Sequence, residues 1–95
     1  MKKKSPHHYA RLAEKTVKVD EKTARELYAY DGTINVDVHE HGIGSNRFYR
    51  VTAIGEKTTM LELESKSREV CERIFNAIDD NVDVATMQKL GMVWG

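Results

Sequence analysis

The fold is decided by residues 33–64, which read TINVDVHEHGIGSNRFYRVTAIGEKTTMLELE. From Thr33 onward, apolar and polar residues alternate with the period of two that is typical of a strand with one buried face. Turn-forming residues at 42–46 and 55–57 divide the stretch into three segments. The pattern therefore predicts three antiparallel strands joined by short turns, a β-meander over 33–64.

Within each predicted strand, the alternation separates a core face from an exposed face. The predicted core side chains are Ile34, Val36, Val38, Tyr49, Val51, Ala53, Leu61 and Leu63. Polar residues of the first strand, among them Asp37, His39 and His41, fall on the opposite face together with Glu62 and Glu64 of the third strand.

Helices are predicted on both sides of the meander. An apolar stripe through Cys71 and Ile74 predicts a main helix over 67–80, with Ser65 or Ser67 as its N-cap. Asp83 begins a short helix over 83–90. Ser5-Pro6 predicts an N-terminal helix in a basic arm over 1–15, and a second helix follows Asp20. The predicted fold class is α+β: a three-stranded antiparallel meander against one main helix, with N-terminal helices and a short C-terminal helix, in a single domain of 95 residues.

The composition limits which partners and which cellular location can be expected for this protein. The net charge is zero, but residues 1–25 carry eight basic and three acidic side chains (+5), and residues 26–95 carry seven and twelve (−5). The only cysteine is Cys71, so no intrachain disulfide can form, and a reducing, cytoplasmic location is expected. No apolar run approaches the roughly 20 residues that span a bilayer, so no membrane partner is expected.

Catalytic chemistry has little support in this sequence. Cys71 lies within the apolar stripe of the main helix, where a thiol acts as a small hydrophobic group. No nucleophile motif, paired carboxylates or phosphate-binding loop is present, so neither enzyme activity nor a cofactor is expected. Asp37, His39 and His41 share one strand face and are candidate ligands for a transition metal, which is one alternative interpretation.

The leading hypothesis is a non-catalytic protein-binding module that covers a partner surface. Small proteins of this kind include inhibitors, adaptors and accessory proteins, among them those of phages and plasmids, and a homo-oligomer is compatible with it. An apolar C-terminal end and an acidic strand face form the predicted docking surface. Its residues are Met87, Leu90, Met92, Trp94, Glu62 and Glu64.

A nucleic-acid-binding protein is the alternative from another class. In the predicted N-terminal helix, helical spacing puts four basic residues on one side, and two arginines of the second strand extend this stripe. The stripe consists of Lys4, His8, Arg11 and Lys15 with Arg47 and Arg50, and Lys2 and Lys3 complete the candidate residues.

Overall fold

The computed structural model describes residues 7–56 and 60–95, and over these ranges the chain is α+β, with a five-stranded antiparallel sheet and three helices. The strands are β1 (His7–Lys18), β2 (Thr33–Ile43), β3 (Asn46–Ile54), β4 (Met60–Ser65) and β5 (Val93–Trp94), and they lie side by side in this order. The helices are α1 (Glu21–Glu26), α2 (Arg68–Ala77) and α3 (Val84–Lys89). The predicted α+β class is confirmed, whereas the sheet has two strands more than predicted and one predicted helix is a strand.

β1 is the main correction to the predicted fold. The spacing of Tyr9, Leu12 and Ala13 fits a helix, but a short isolated helix is only marginally stable in water. β1 instead pairs antiparallel with β2 from His7 to Lys18, which satisfies the backbone along one whole side of the strand. Long-range pairing therefore overrides the local helical pattern.

The basic residues of β1 consequently do not form one stripe. Lys15 lies opposite the buried Val36, on the side of the sheet that faces the core, and His8 lies on the same side. Arg11 lies opposite His39 on the other side. Lys2, Lys3, Lys4 and the predicted Ser5-Pro6 helix start lie outside the described residues.

A β-bulge at Leu12 interrupts β1. Arg11 pairs with His39 and Ala13 pairs with Val38, so Leu12 is an extra residue in the ladder. Because of this extra residue, Arg11 and Glu14 lie on the same face of the sheet although they are three positions apart.

The central meander agrees closely with its prediction. Val36, Val51, Ala53 and Leu61 are buried on one face, as the alternation predicts. β2 and β3 are joined by residues 44 and 45 alone, because Ile43 already pairs with Asn46. β4 is described from Met60 onward, and the predicted start of this strand at residue 58 lies outside the described residues.

The helices begin where the sequence predicts. Side chains of Asp20, Ser67 and Asp83 each accept a hydrogen bond from a backbone N–H in the first turn of α1, α2 and α3, at 2.9, 3.2 and 2.8 Å. These N-caps satisfy donors that have no partner within a helix. α2 ends at Ala77, three residues earlier than predicted, because Ile78 adopts an extended conformation.

α2 packs against β2, β3 and β4, and the hydrophobic core lies between the helices and this face of the sheet. Cys71, Ile74 and Ile78 face the core from α2 and its C-terminal end, whereas Phe75 is only half-buried at its margin. No helix in the described part of the chain is long and apolar enough to cross a membrane.

The chain reverses after α3 and adds β5. Gly91 has a φ of 106°, which favours glycine. Its N–H donates to the carbonyl of Gln88 at 3.0 Å, and the N–H of Met92 donates to that of Met87 at 3.2 Å. This is a Schellman motif, and it returns Met92 to the core before Trp94 pairs with Leu61 on β4.

Candidate protein-binding surface

The sheet has one face on which no described helix packs, and we call it the open face. Its central residues form three rows across the strands, given by the pairing register. The rows are Tyr9–His41–Phe48, Arg11–His39–Arg50–Glu64 and Glu14–Asp37–Thr52–Glu62. An aromatic row therefore lies beside two rows of charged and polar side chains.

The aromatic row is a continuous set of ring contacts. His41 stacks on Phe48, with ring centroids 5.1 Å apart and an interplanar angle of 10°. The ring of Tyr9 lies 5.1 Å from that of His41 and 5.3 Å from that of His39. Tyr9 is nevertheless 50% exposed, so it presents a large part of its ring to solvent.

The arginines of the open face are already paired with carboxylates. Arg50 Nη2 lies 3.0 Å from Glu64 Oε1, and its Nε lies 3.7 Å from Glu62 Oε1. On β1, Arg11 Nη1 lies 2.9 Å from Glu14 Oε1. Asp37 is the fourth carboxylate of the rows, so the paired arginines leave an excess of negative charge on this surface.

The candidate metal ligands Asp37, His39 and His41 lie together on the open face. Oδ2 of Asp37 is 3.7 Å from Nε2 of His39, and the ring of His41 is stacked against Phe48. Within residues 7–56 and 60–95, no group of three or more His, Cys, Asp or Glu side chains is arranged to hold a metal ion. The two imidazoles instead take part in the aromatic packing.

On the other face, near the N-terminal end of α2, a second polar cluster surrounds Glu40. Its carboxylate lies 3.2 Å from His8 Nε2, accepts a hydrogen bond from the Tyr49 hydroxyl at 3.3 Å, and lies 3.8 Å from Arg47 Nε. The hydrogen bond with His8 is the largest cause that lowers the pKa of Glu40 below its ordinary value. His8 and Arg47 thus have a carboxylate partner within the chain.

The basic residues of the nucleic-acid alternative are therefore dispersed. Lys15 Nζ lies 4.5 Å from the centroid of the Phe75 ring, on the helix side. Arg47 Nη1 donates to the Gly44 carbonyl at 2.7 Å at the hairpin end. Arg11 and Arg50 lie on the open face, each bonded to a carboxylate. The described residues form no continuous basic stripe.

The predicted C-terminal docking residues are divided between core and surface. Met87 and Met92 are fully buried and Leu90 is half-buried, because the short α3 packs its apolar side into the core. The two methionines are therefore not available to a partner in this fold. Trp94 is 44% exposed and lies on the helix side next to Leu61, whereas Glu62 and Glu64 lie on the open face.

Two residues of the aromatic row, Tyr9 and Phe48, were not predicted as site residues from the sequence. Tyr9 was placed in a helix, and Phe48 lies opposite the predicted core face of its strand. One feature of the sequence indicates Phe48 as a site residue: it is a large aromatic side chain on the strand face that also carries Arg50 and Thr52. The contribution of β1 could not be found without its pairing to β2.

Comparisons of this chain with models of protein families, with curated proteins and with solved structures gave no match.

Proposed function

We propose that the protein is a non-catalytic protein-binding module that uses the open face of its sheet to cover a surface of its partner. The observation that carries this proposal is the aromatic row in which the exposed Tyr9 lies beside the half-buried His41 and Phe48, flanked by Arg50 and its carboxylates. Protein interfaces are enriched in aromatic residues and arginine at the centre, with polar groups at the rim. A small inhibitor, adaptor or accessory protein, of the kind that phages and plasmids encode, acts by such occupancy.

The charge of the open face favours a basic partner surface. Glu14, Asp37, Glu62 and Glu64 outnumber the two arginines of the three rows, and residues 26–95 carry a net charge of −5. The exposed ring of Tyr9 can form cation–π contacts with lysine and arginine side chains of a partner, whereas the ring of Phe48 already has Arg50 of the same chain 5.9 Å from its centroid. Complementary charge increases the association rate and excludes partners of the wrong sign. A partner surface rich in lysine and arginine, like those that bind nucleic acid, fits this chemistry.

Nucleic-acid binding through the basic N-terminus stays the alternative hypothesis. It now depends on Lys2, Lys3 and Lys4, since the basic side chains between residues 7 and 50 that it uses have partners within the chain. Phosphate binding would make the affinity fall steeply with salt. A truncation that tests it must begin the chain at His7, because removal of further residues would delete β1.

A reducing compartment such as the cytoplasm is the proposed location. Cys71 is the only cysteine of the chain and is fully buried, and burial raises the pKa of its thiol. A small protein exposed to an oxidising environment usually gains stability from disulfides, which this chain cannot form internally.

The experiment is an affinity pull-down from nuclease-treated native lysate with four matched variants. Glu62→Lys/Glu64→Lys reverses two charges of the open face, and Glu26→Lys/Glu69→Lys makes the same change on exposed positions of α1 and α2. Tyr9→Ala removes an exposed ring of the aromatic row, and Tyr30→Ala removes one that is 68% exposed elsewhere. Circular dichroism verifies that each variant is folded.

The proposal predicts that wild type and both control variants capture the same protein, and that both open-face variants lose it. Capture that is equal for open-face and control variants would refute the use of this face. Recovery of nucleic acid alone from untreated lysate, lost when the chain begins at His7, would favour the alternative hypothesis instead.

A further inference from the structure

β1 is an edge strand whose outer side is free over most of its length. In the described sheet it pairs only with β2. At its end, the N–H of Lys18 donates to Asp80 Oδ1 at 3.0 Å, and the carbonyl of Lys18 accepts from Asn81 N–H at 2.7 Å. The backbone groups of Lys18 therefore point away from β2 and are covered by the loop after α2.

The other outward backbone groups of β1 follow from alternation along the strand. Glu14 and Thr16 have the same orientation as Lys18, and beyond the bulge so do Tyr9 and Arg11, because all of them lie on the open face. Within residues 7–56 and 60–95, no hydrogen bond to these outward N–H and carbonyl groups is found. Such an edge is a template for another strand.

We propose that this edge pairs with β1 of a second copy of the chain, so that two sheets join into one of ten strands. In an antiparallel pair with its two-fold axis between residues 12 and 13, Arg11 lies opposite Glu14 of the second copy, and Tyr9 lies opposite Thr16 of the second copy. All four residues have outward backbone groups, so each of these pairs can exchange hydrogen bonds. The bulges of the two copies coincide at the axis.

Charge complementarity selects this register. Arg11 and Glu14 already form an exposed ion pair of 2.9 Å within one strand. In the dimer, this ion pair lies next to the same pair of the second copy, so that Arg11 and Glu14 of both copies form a group of four side chains of alternating charge. A register centred on Arg11 would place two arginines opposite each other, and one centred on Glu14 would oppose two carboxylates. Like charges directly opposite in a sheet are destabilising.

A groove beside β1 adds apolar surface to the same edge. Its volume is about 220 Å³, and it is lined by Leu12, Ala13, Val38, Glu72, Phe75 and Asn76. The groove exists because α2 packs mainly over β2, β3 and β4 and covers the helix side of β1 only in part. The paired strand of a second copy brings its own Leu12 and Ala13 to this edge. The dimer thus buries apolar surface in addition to the backbone bonds.

The test is sedimentation equilibrium of the full chain and of charge variants over a range of concentrations. Arg11→Glu places a glutamate of each copy opposite Glu14 of the other copy. This repulsion is expected to raise the dimer dissociation constant about tenfold or more. Arg11→Glu/Glu14→Arg restores both the intrachain pair and the pair across the axis, so it is expected to restore the dimer.

A backbone variant separates edge pairing from any other contact. Thr16→Pro removes an outward N–H, which β2 does not use, so it is expected to abolish the dimer while the circular dichroism spectrum stays that of the folded monomer. Thr16→Ala is the matched control, because both changes remove the hydrogen bond from the Thr16 hydroxyl to Asn35. It is expected to remain dimeric.

The proposal requires a wild-type mass of twice 10.9 kDa, loss of the dimer in Arg11→Glu and Thr16→Pro, and its recovery in the double variant. A wild type that is monomeric at every concentration would overturn it. A dimer that persists in folded Thr16→Pro, or that the double variant fails to restore, would also overturn it, because another surface would then hold the copies together. The result is independent of capture by the open face.

Discussion

Substitution of Gly55 by alanine tests the contact between the turn after α1 and the end of β3. A Cβ atom added at Gly55 would overlap the carbonyl oxygen of Leu27 and lie 3.0 Å from the backbone nitrogen of Ala29. Leu27 and Ala29 are both fully buried. Gly55→Ala therefore requires two backbone segments to separate, because neither obstacle is a flexible side chain.

The cost follows from what the separation disrupts. Overpacking a well-packed site costs about 1–3 kcal/mol. The hydrogen bond from Glu56 N–H to the Tyr28 carbonyl, 2.9 Å long, lies next to the overlap, and its loss adds about 1 kcal/mol. The smaller entropy of the unfolded chain with alanine offsets roughly 0.5 kcal/mol. We expect Gly55→Ala to lower the free energy of unfolding by about 2.5 kcal/mol and Tm by roughly 10–20 °C.

Thermal and urea unfolding followed by circular dichroism measure this change. Gly44→Ala is the matched control: Gly44 has a φ of 63° and no atom within 4 Å of an added Cβ, so only the conformational cost of about 1 kcal/mol applies. If Gly55→Ala were no more destabilising than Gly44→Ala, the inferred contact between the two segments would be wrong.

Three further outcomes are expected. Ile74→Ala should lower the free energy of unfolding by about 3 kcal/mol, and Phe75→Ala by only about 1.5 kcal/mol because Phe75 is half-buried. If urea unfolding gave the same decrease in free energy for both variants, the inferred packing of α2 would be wrong. Glu40→Gln should destabilise the protein near neutral pH, and its difference in Tm from wild type should shrink as pH falls below 4.5, the ordinary pKa of Glu. The reason is that a carboxyl group whose pKa is lowered by folding stabilises the protein above its ordinary pKa and loses this contribution as it is protonated. A difference in Tm that grows in acid would refute the hydrogen bond with His8. Cys71 should not react with a thiol reagent in native protein and should react fully in guanidinium; rapid native labelling would contradict its burial.

The meander and the helix starts could be predicted from the sequence because their signals are local. Alternation across residues 33–64 fixes which side chains of β2, β3 and β4 are buried, and register within a hairpin follows from a short turn. Asp20 and Asp83 are predicted caps because a cap depends on side chain and backbone within one turn. The acidic residues Glu62 and Glu64 were placed correctly on an exposed face for the same reason.

Residues 7–15 of β1 and the whole of β5 could not be predicted in this way, because both are defined by a partner distant in sequence; only the alternation at 16–19 indicated an extended segment or a short edge strand. Tyr9 and Leu12 carry a helical spacing that the bulge produces by chance, and only pairing with β2 reveals the strand. β5 is two residues long, too short for any periodic signal, and depends on the turn at Gly91. Since Tyr9 lies in the part of β1 that the sequence pattern does not predict, the aromatic row of the open face could not be recognised as a whole from the sequence.

The bulge at Leu12 also determines which changes in chain length β1 can accept. If the ladder instead ran regularly through Leu12, residue 12 would pair with His39, and residues 8–11 would turn over. Tyr9 and Arg11 would then face the helices, and His8 would face outward. Deletion of Leu12 removes the bulge but leaves Arg11 opposite His39 and Ala13 opposite Val38, so every side chain of β1 keeps its face. Related chains should therefore have either the bulge or one residue fewer between the two charges, with the same side chains on the open face.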